Sequence, residues 1–236
     1  MSVPDTAVST RRKDALLVRS AVPADHAAIR AVVIAAYGQY ADLIPPDIFS
    51  AYLADLLDTE AHASHGPLFV AEADERVCGY GAFYPDASAQ GVGWPPGWAS
   101  GRALAVHPAA RGHGVAGALI ATGERLAQDG GSPVLAFHTH SYMTGAIALY
   151  ERLGYRRVPE FDFDVAAHFG RPGATPITSL AYFRCVTPVR AHVNRVRQAR
   201  CPGRICPAEA AEPPMTCSIA PSCEDGANIT PLWRIR

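Results

Sequence analysis

Leu104-Ala-Val-His-Pro-Ala-Ala-Arg-Gly-His-Gly-Val-Ala-Gly-Ala-Leu-Ile120 packs an apolar strand, a glycine loop and the start of a helix into one short run. Bare loop amides backed by a helix N-terminus form a ready site for phosphate oxygens. The ligand they hold decides the reading of the whole chain. A nucleotide P-loop needs a lysine behind its last glycine to reach the terminal phosphates. Here Ala118 follows Gly117, and Lys13 is the only lysine in the chain, so that reading is excluded. Gly112-His-Gly-Val-Ala-Gly117 also spells the dinucleotide fingerprint G-x-G-x-x-G. That fingerprint sets its first glycine directly behind a strand and an acidic residue about 20 residues further on. In this chain His107 to Arg111 intervene, and the next predicted strand ends in His138-Thr-His140 with no carboxylate. Dinucleotide binding stays as the weaker alternative.

A second segment gives the loop its context. Arg111-x-x-Gly114-x-Ala116, preceded by Leu104-Ala-Val106 and Pro108, resembles the acetyl-coenzyme A pyrophosphate loop of the GCN5-related N-acetyltransferase (GNAT) family. Ala146-Ile-Ala-Leu-Tyr-Glu-Arg-Leu-Gly-Tyr155 resembles that family's late helix and following strand. Two motifs in the right order are more specific than either alone.

Composition sets the outer bounds. Of 236 residues, 49% are hydrophobic and 18% charged, which suits a globular domain with an adequate core. A net charge of −1 argues against a nucleic-acid partner held by a broad basic surface. No apolar run approaches the roughly 18 residues that a membrane span needs. Arg11, Arg12 and Lys13 have no hydrophobic stretch behind them, so the N-terminus does not read as a secretory signal. A cytoplasmic protein is expected. Residues 1–14 read as a flexible N-terminus and residues 15–187 as the N-acetyltransferase domain. Residues 188–236 read as a Pro-, Ala- and Cys-rich disordered tail. Cys201, Cys206, Cys217 and Cys223 in that tail match no zinc spacing.

Periodicity supplies the elements. Ala15 to Arg19 reads as a first strand. Pro23 opens a helix carrying Ile29, Val32, Val33, Ala36 and Tyr37, and Pro45-Pro46 opens a second one. Leu68 to Glu72 and Val77 to Tyr84 read as a hairpin. Pro85 to Ser100 is a long Gly/Pro loop holding Trp94 and Trp98, either a surface insertion with local packing or a wall of the acceptor pocket. Gly130-Gly131 stops the helix behind the glycine loop, Thr144 is placed to cap the next helix, and Gly154 to end it. The sum is an α/β fold with a mixed, mostly antiparallel sheet of about six or seven strands and about four helices. The resemblance adds a splay between two central strands where the cofactor enters.

The chemistry implied is acetyl transfer to a small-molecule amine by direct attack on a bound thioester, with acetyl-coenzyme A as co-substrate and no metal. Amides of Gly112, His113, Gly114, Val115 and Ala116 are expected at the pyrophosphate. Arg111 is expected to add charge there, or else to shape the loop. Leu104, Ala105 and Val106 are expected beside the thioester, with the Val106 amide at its carbonyl oxygen. Tyr150 aligns with the family's proton donor to the leaving thiolate; as part of an apolar helix face it also reads as a core tyrosine. The carboxylate that the family often carries on its fourth strand falls on Ser100 here, so His138 and His140, expected to titrate near neutrality, are the candidates for the base. Met143 stands where the family often has an asparagine. Glu160, Asp162 and Asp164 alternate, and on a strand they would either attract a cationic amine or form a solvated edge. Neither a nucleic-acid nor a membrane partner is expected, and the oligomeric state is monomer or homodimer. The rival from another class is a non-catalytic acyl-coenzyme A sensor of the same fold.

Overall fold

Alternating apolar residues that flank tight turns, and apolar pairs spaced by four, settle into strands and helices respectively. A computed structural model describes residues 16–171 and 176–186. The expectations for residues 1–14 and 188–236, and for the four tail cysteines, lie outside the described residues. Eight strands form one sheet: β1 (Leu17–Ser20), β2 (Leu68–Ala73), β3 (Arg76–Tyr84), β4 (Ala99–Val106), β5 (Val134–His140), β6 (Arg156–Arg157), β7 (Phe163–Asp164) and β8 (Thr178–Cys185). Their order is β1-β2-β3-β4-β5-β8-β6, with β7 against β8. Every neighbouring pair is antiparallel except β4 and β5.

Six α-helices accompany the sheet among the described residues: α1 (His26–Tyr37), α2 (Pro46–Leu57), α3 (Thr59–His65), α4 (Val115–Asp129), α5 (Thr144–Arg152) and α6 (Val165–His168). The surplus over the sequence expectation consists of pieces too short to show a period. α3 and α6 begin instead on side-chain caps: Asp58 accepts from the Ala61 amide at 2.9 Å, and Asp164 from the Ala166 amide at 3.0 Å. Thr144 does not cap α5. It is the first helical residue, and Met143 in the cap position offers no side-chain acceptor.

The two sheet faces bury different helices. On one, α4 and α5 bring Val115, Leu119 and Tyr150 against Ala71, Phe83 and Leu135. On the other, α1 and α2 bring Ile29, Val33 and Leu56 against Val70, Tyr80 and Ala105. Full burial of each such aliphatic side chain contributes roughly 1.5–3 kcal/mol. α4 sits unusually close because Gly79 lies under its first turn; a Cβ there would stand 2.6 Å from Val115 Cγ1. The entry to α1 is fixed by Asp25, which accepts from both Arg19 Nη atoms, at 2.7 and 2.9 Å, and from the Val22 amide at 2.8 Å. Trp94 and Trp98 bury against Ala136, Val158 and Phe183, so the long loop before β4 packs locally. It also reaches the site, because the Trp94 ring lies 4.2 Å from that of His138.

Candidate functional site

The site begins with a bulge. Tyr80 pairs with Ala105 and Ala82 with Arg102, so Ala103 and Leu104 of β4 together oppose Gly81. Ala103 takes up the extra residue at φ 54°. A one-residue slip flips every later side chain to the other face. Ala99 packs with the α4 cluster, whereas Ala103 and Ala105 pack with α1. On the far edge, β4 and β5 pair only over Ala99 to Gly101 with Leu135 to Phe137. Beyond that short parallel junction the two strands pair no further, and a cleft of about 730 Å3 lies between them. That volume is in the range of small-molecule and cofactor sites.

One end of the cleft is the glycine loop. Gly112 and Gly114 hold φ of 80° and 81°, a region that favours glycine. Gly114 caps α4 with no side chain over the helix amides, which leaves them to a ligand. Gly112, Gly114, Val115 and Ala116 line the cleft. Arg111 lines it as well, but its guanidinium turns back to α1, donating to Gln39 Oε1 at 3.1 Å and to the Ala36 carbonyl at 3.3 Å. His113 is not in the lining; it is exposed, and its Nδ1 donates to the Arg111 carbonyl at 2.9 Å. Leu104 and Val106 line the cleft, but Ala105, alternating with them, faces α1. The Leu104 carbonyl accepts from the Tyr37 hydroxyl at 2.9 Å.

Tyr150 lines the same cleft from α5, its ring stacked 5.0 Å from Phe137. Only 3% of it is exposed, and burial pushes its hydroxyl far above the ordinary phenol range. It therefore keeps its proton at any physiological pH. His138 and His140 line the cleft from β5. His138 Nε2 donates to the Phe161 carbonyl at 2.9 Å, and burial lowers its pKa to about 4 despite that bond. His140 lies against Tyr52, ring centroids 4.8 Å apart. Burial, helped by His138 and Arg102, lowers its pKa to about 3. Both imidazoles are thus neutral at pH 7, and titration near neutrality is corrected by their loss of hydration. Ser100 is fully buried and accepts from Gln90, so it supplies no base.

Of the three acidic residues near β7, Glu160 lies exposed in a 3-10 turn instead of on a strand, and the other two are structural. Asp162 holds Arg157 through two oxygens at 2.8 and 2.7 Å and accepts from the Ala181 amide. Asp164 caps α6 and accepts from the Ile177 amide. None of the described residues lining the cleft is Asp or Glu. Three lining residues that the sequence did not single out are Arg102, Tyr52 and Tyr142. Arg102 sits in an unremarkable strand, and Tyr52 reads as helix core. Only the long-range pairing of β4 with β5 brings them together. Among the described residues there is no group of three or more metal-ligating side chains.

Comparison with known proteins gives this geometry a context. The model of the acetyltransferase (GNAT) family matches residues 35–155. The chain resembles the structure of the PaiA N-acetyltransferase of Thermoplasma acidophilum in complex with coenzyme A, at 12% identity and a TM-score of 0.55, covering 73% of this chain and 99% of that one. The ribosomal-protein-S18-alanine N-acetyltransferase of Escherichia coli matches at 13% identity and a TM-score of 0.51, over 76% and 99% of the two chains. An N-acetyltransferase of Staphylococcus aureus Mu50 matches at 18% identity and a TM-score of 0.50, over 74% and 100%. These likenesses bear on the fold. No curated protein matches the chain.

Proposed function

The chain belongs to the GNAT acetyltransferase family, and we propose that it moves the acetyl group of acetyl-coenzyme A to a primary amine of a small molecule. The observation that carries this reading is the single cleft joining the uncapped α4 N-terminus to Tyr150 and His140 through the gap between β4 and β5. The acyl carrier suits it, since the open amides of Gly112 to Ala116 answer a pyrophosphate. When bound, acetyl-coenzyme A supplies an activated acyl carbon.

The chain's own residues do the rest. The β5-side edge of β4 has lost its partner beyond Gly101, and we assign the Val106 amide to the thioester oxygen, where negative charge grows as the amine attacks. The amine nitrogen forms the C–N bond as the C–S bond breaks. Tyr150 donates its proton to the departing sulfur and recovers one from solvent. The nitrogen sheds one proton overall, so the products are an amide and a free thiol. Among the described residues no carboxylate lines the cleft to receive that proton. His138 and His140, held neutral, accept a hydrogen bond from the amine and pass the proton towards water. Aromatic surroundings also favour the uncharged amine over its ammonium form.

Calorimetric titration with acetyl-coenzyme A, with NADH as control, tests the reading. Saturable binding of acetyl-coenzyme A alone, followed by thiol release when an amine is added, is expected. Preference for NADH would mean that the Gly112 to Gly117 fingerprint was the true signal.

A further inference from the structure

The acceptor half of the cleft has a distinctive charge pattern. Arg102 is its charged side chain on β4; Arg111 belongs to the glycine loop, Arg152 lines the cleft from the last turn of α5, and none of the described lining residues is acidic. Arg102 Nη2 is paired with Asp55 Oδ2 at 2.6 Å, and the Arg102 side chain is 21% exposed. Its other N–H groups have no partner among the described residues. A guanidinium lodged in a cleft with donors to spare fits a carboxylate.

Tyr52, Tyr37, His138 and His140 lie within electrostatic reach of Arg102, and further rings line the same cleft. Tyr40 and Tyr142 stand 5.3 Å apart, Tyr52 and Phe169 6.3 Å, and His140 and Tyr142 5.4 Å, between ring centroids. Polar atoms wait on this side of the sheet. His140 Nδ1, Tyr142 Oη and Ser179 Oγ are buried with no hydrogen-bond partner, and all three residues line the cleft. His140 and Ser179 are direct partners across β5 and β8. Leaving a buried polar group unpaired costs about 1–3 kcal/mol, so His140 Nδ1, Tyr142 Oη and Ser179 Oγ on this side of the sheet point to a ligand that pairs them.

We propose that the acceptor is an α-amino acid with an aromatic or large apolar side chain, its carboxylate held by Arg102 and its side chain held among Tyr40, Tyr52, Tyr142 and Phe169. The inference rests on the acetyltransferase reading above and specifies its substrate. A polyamine or other polycation has nothing to pair with in this cleft and meets Arg102 instead. An amine without a carboxylate leaves the free donors of Arg102 unpaired.

The test measures thiol release by the full chain at saturating acetyl-coenzyme A, using matched acceptors: L-tyrosine against tyramine, L-phenylalanine against phenethylamine, and spermidine. The amino acid of each pair is expected to exceed its decarboxylated partner at least tenfold in kcat/KM, with spermidine inactive. In Arg102→Gln the tyrosine-to-tyramine ratio is expected to fall towards one, while the KM for acetyl-coenzyme A stays unchanged. Arg102→Lys keeps charge beside Asp55 and is expected to retain part of the preference, so it serves if the first variant does not fold. Equal or better use of tyramine or spermidine overturns the inference, as does no turnover of any aromatic amino acid while acetyl-coenzyme A still binds. In those cases the family-level reading stands. Failure of acetyl-coenzyme A to bind at all sinks both.

Discussion

In the proposed mechanism, burial holds the Tyr150 proton ready for the leaving sulfur. The Tyr150 hydroxyl lines the cleft while its ring is fixed against Phe137 and lies 5.8 Å from both Tyr155 and Tyr182. Tyr150→Phe keeps that packing and removes only the proton. A fall in kcat of roughly 10²–10³-fold, with little change in acetyl-coenzyme A affinity, is expected from steady-state kinetics and calorimetry. A fully active variant would leave Tyr150 a core residue. Gly114 is the complementary case. At φ 81° a valine is strained by about 1–2 kcal/mol, and its side chain would project into the proposed pyrophosphate site. Gly114→Val is therefore expected to lose coenzyme binding in calorimetry while circular dichroism shows the fold retained. Arg111→Glu is expected to weaken binding through the loop's tie to Gln39 and Ala36. Residue identity made Tyr150 and Gly114 legible from the sequence, since motif spacing alone places them. The protonation of His138 and His140 was not legible, because it depends on Trp94, Phe161 and Tyr52, which arrive from distant segments.

Between β4 and β5 the decisive contact is one glycine under one ring. Gly101 is the last residue of the parallel junction and pairs with Phe137; a Cβ on Gly101 would lie 2.0 Å from Phe137 Cε1. Gly101→Ala must push that ring, and the ring supports Tyr150. Destabilisation of about 1–3 kcal/mol is expected, read as a lower denaturant midpoint. Turnover should fall further than stability explains, with coenzyme affinity changed less, because the glycine loop lies at the other end of β4. A variant with normal turnover would show that the β4–β5 junction does not position Tyr150. The strands themselves were legible: hairpin turns, alternation and the late helix all read from the chain. Neither the bulge at Ala103 nor the short pairing of β4 with β5 has a local signal, since both are properties of two strands meeting. Leu104 to Val106 were expected together beside the thioester, but alternation turns Ala105 to α1 while Leu104 and Val106 line the cleft.

At the scale of the molecule, the buried histidines tie stability to pH. His138 and His140 hold pKa values of about 4 and 3 in the fold, against an ordinary value near 6.5. As pH falls below about 6.5 the unfolded chain takes up protons that the folded chain refuses, so the equilibrium drifts towards unfolding. The stability concerned is fully present above that pH and is lost progressively until each folded histidine titrates. While one such group is out of step the loss runs at about 1.4 kcal/mol per pH unit. Asp25 acts lower down: hydrogen bonds from Arg19 hold its pKa at about 2, so its contribution is lost only below the ordinary carboxylate range. The groups around the histidines cannot offset the first loss. Arg102 opposes a charge on both, and Asp162, the acid that favours a charge on His138, does not overcome its burial. Urea denaturation between pH 7 and 4.5 is therefore expected to show a steadily falling midpoint. In His140→Asn, which removes one titrating group, the slope of stability against pH should drop by about 1.4 kcal/mol per unit, although the variant starts from a lower stability at pH 7. Over the same range kcat/KM should show no histidine inflection near pH 6.5, because neither ring changes charge there in the folded enzyme. An inflection at that pH that vanishes in His140→Asn would mean that the ring is hydrated in solution and that the acceptor half of the cleft is open to water.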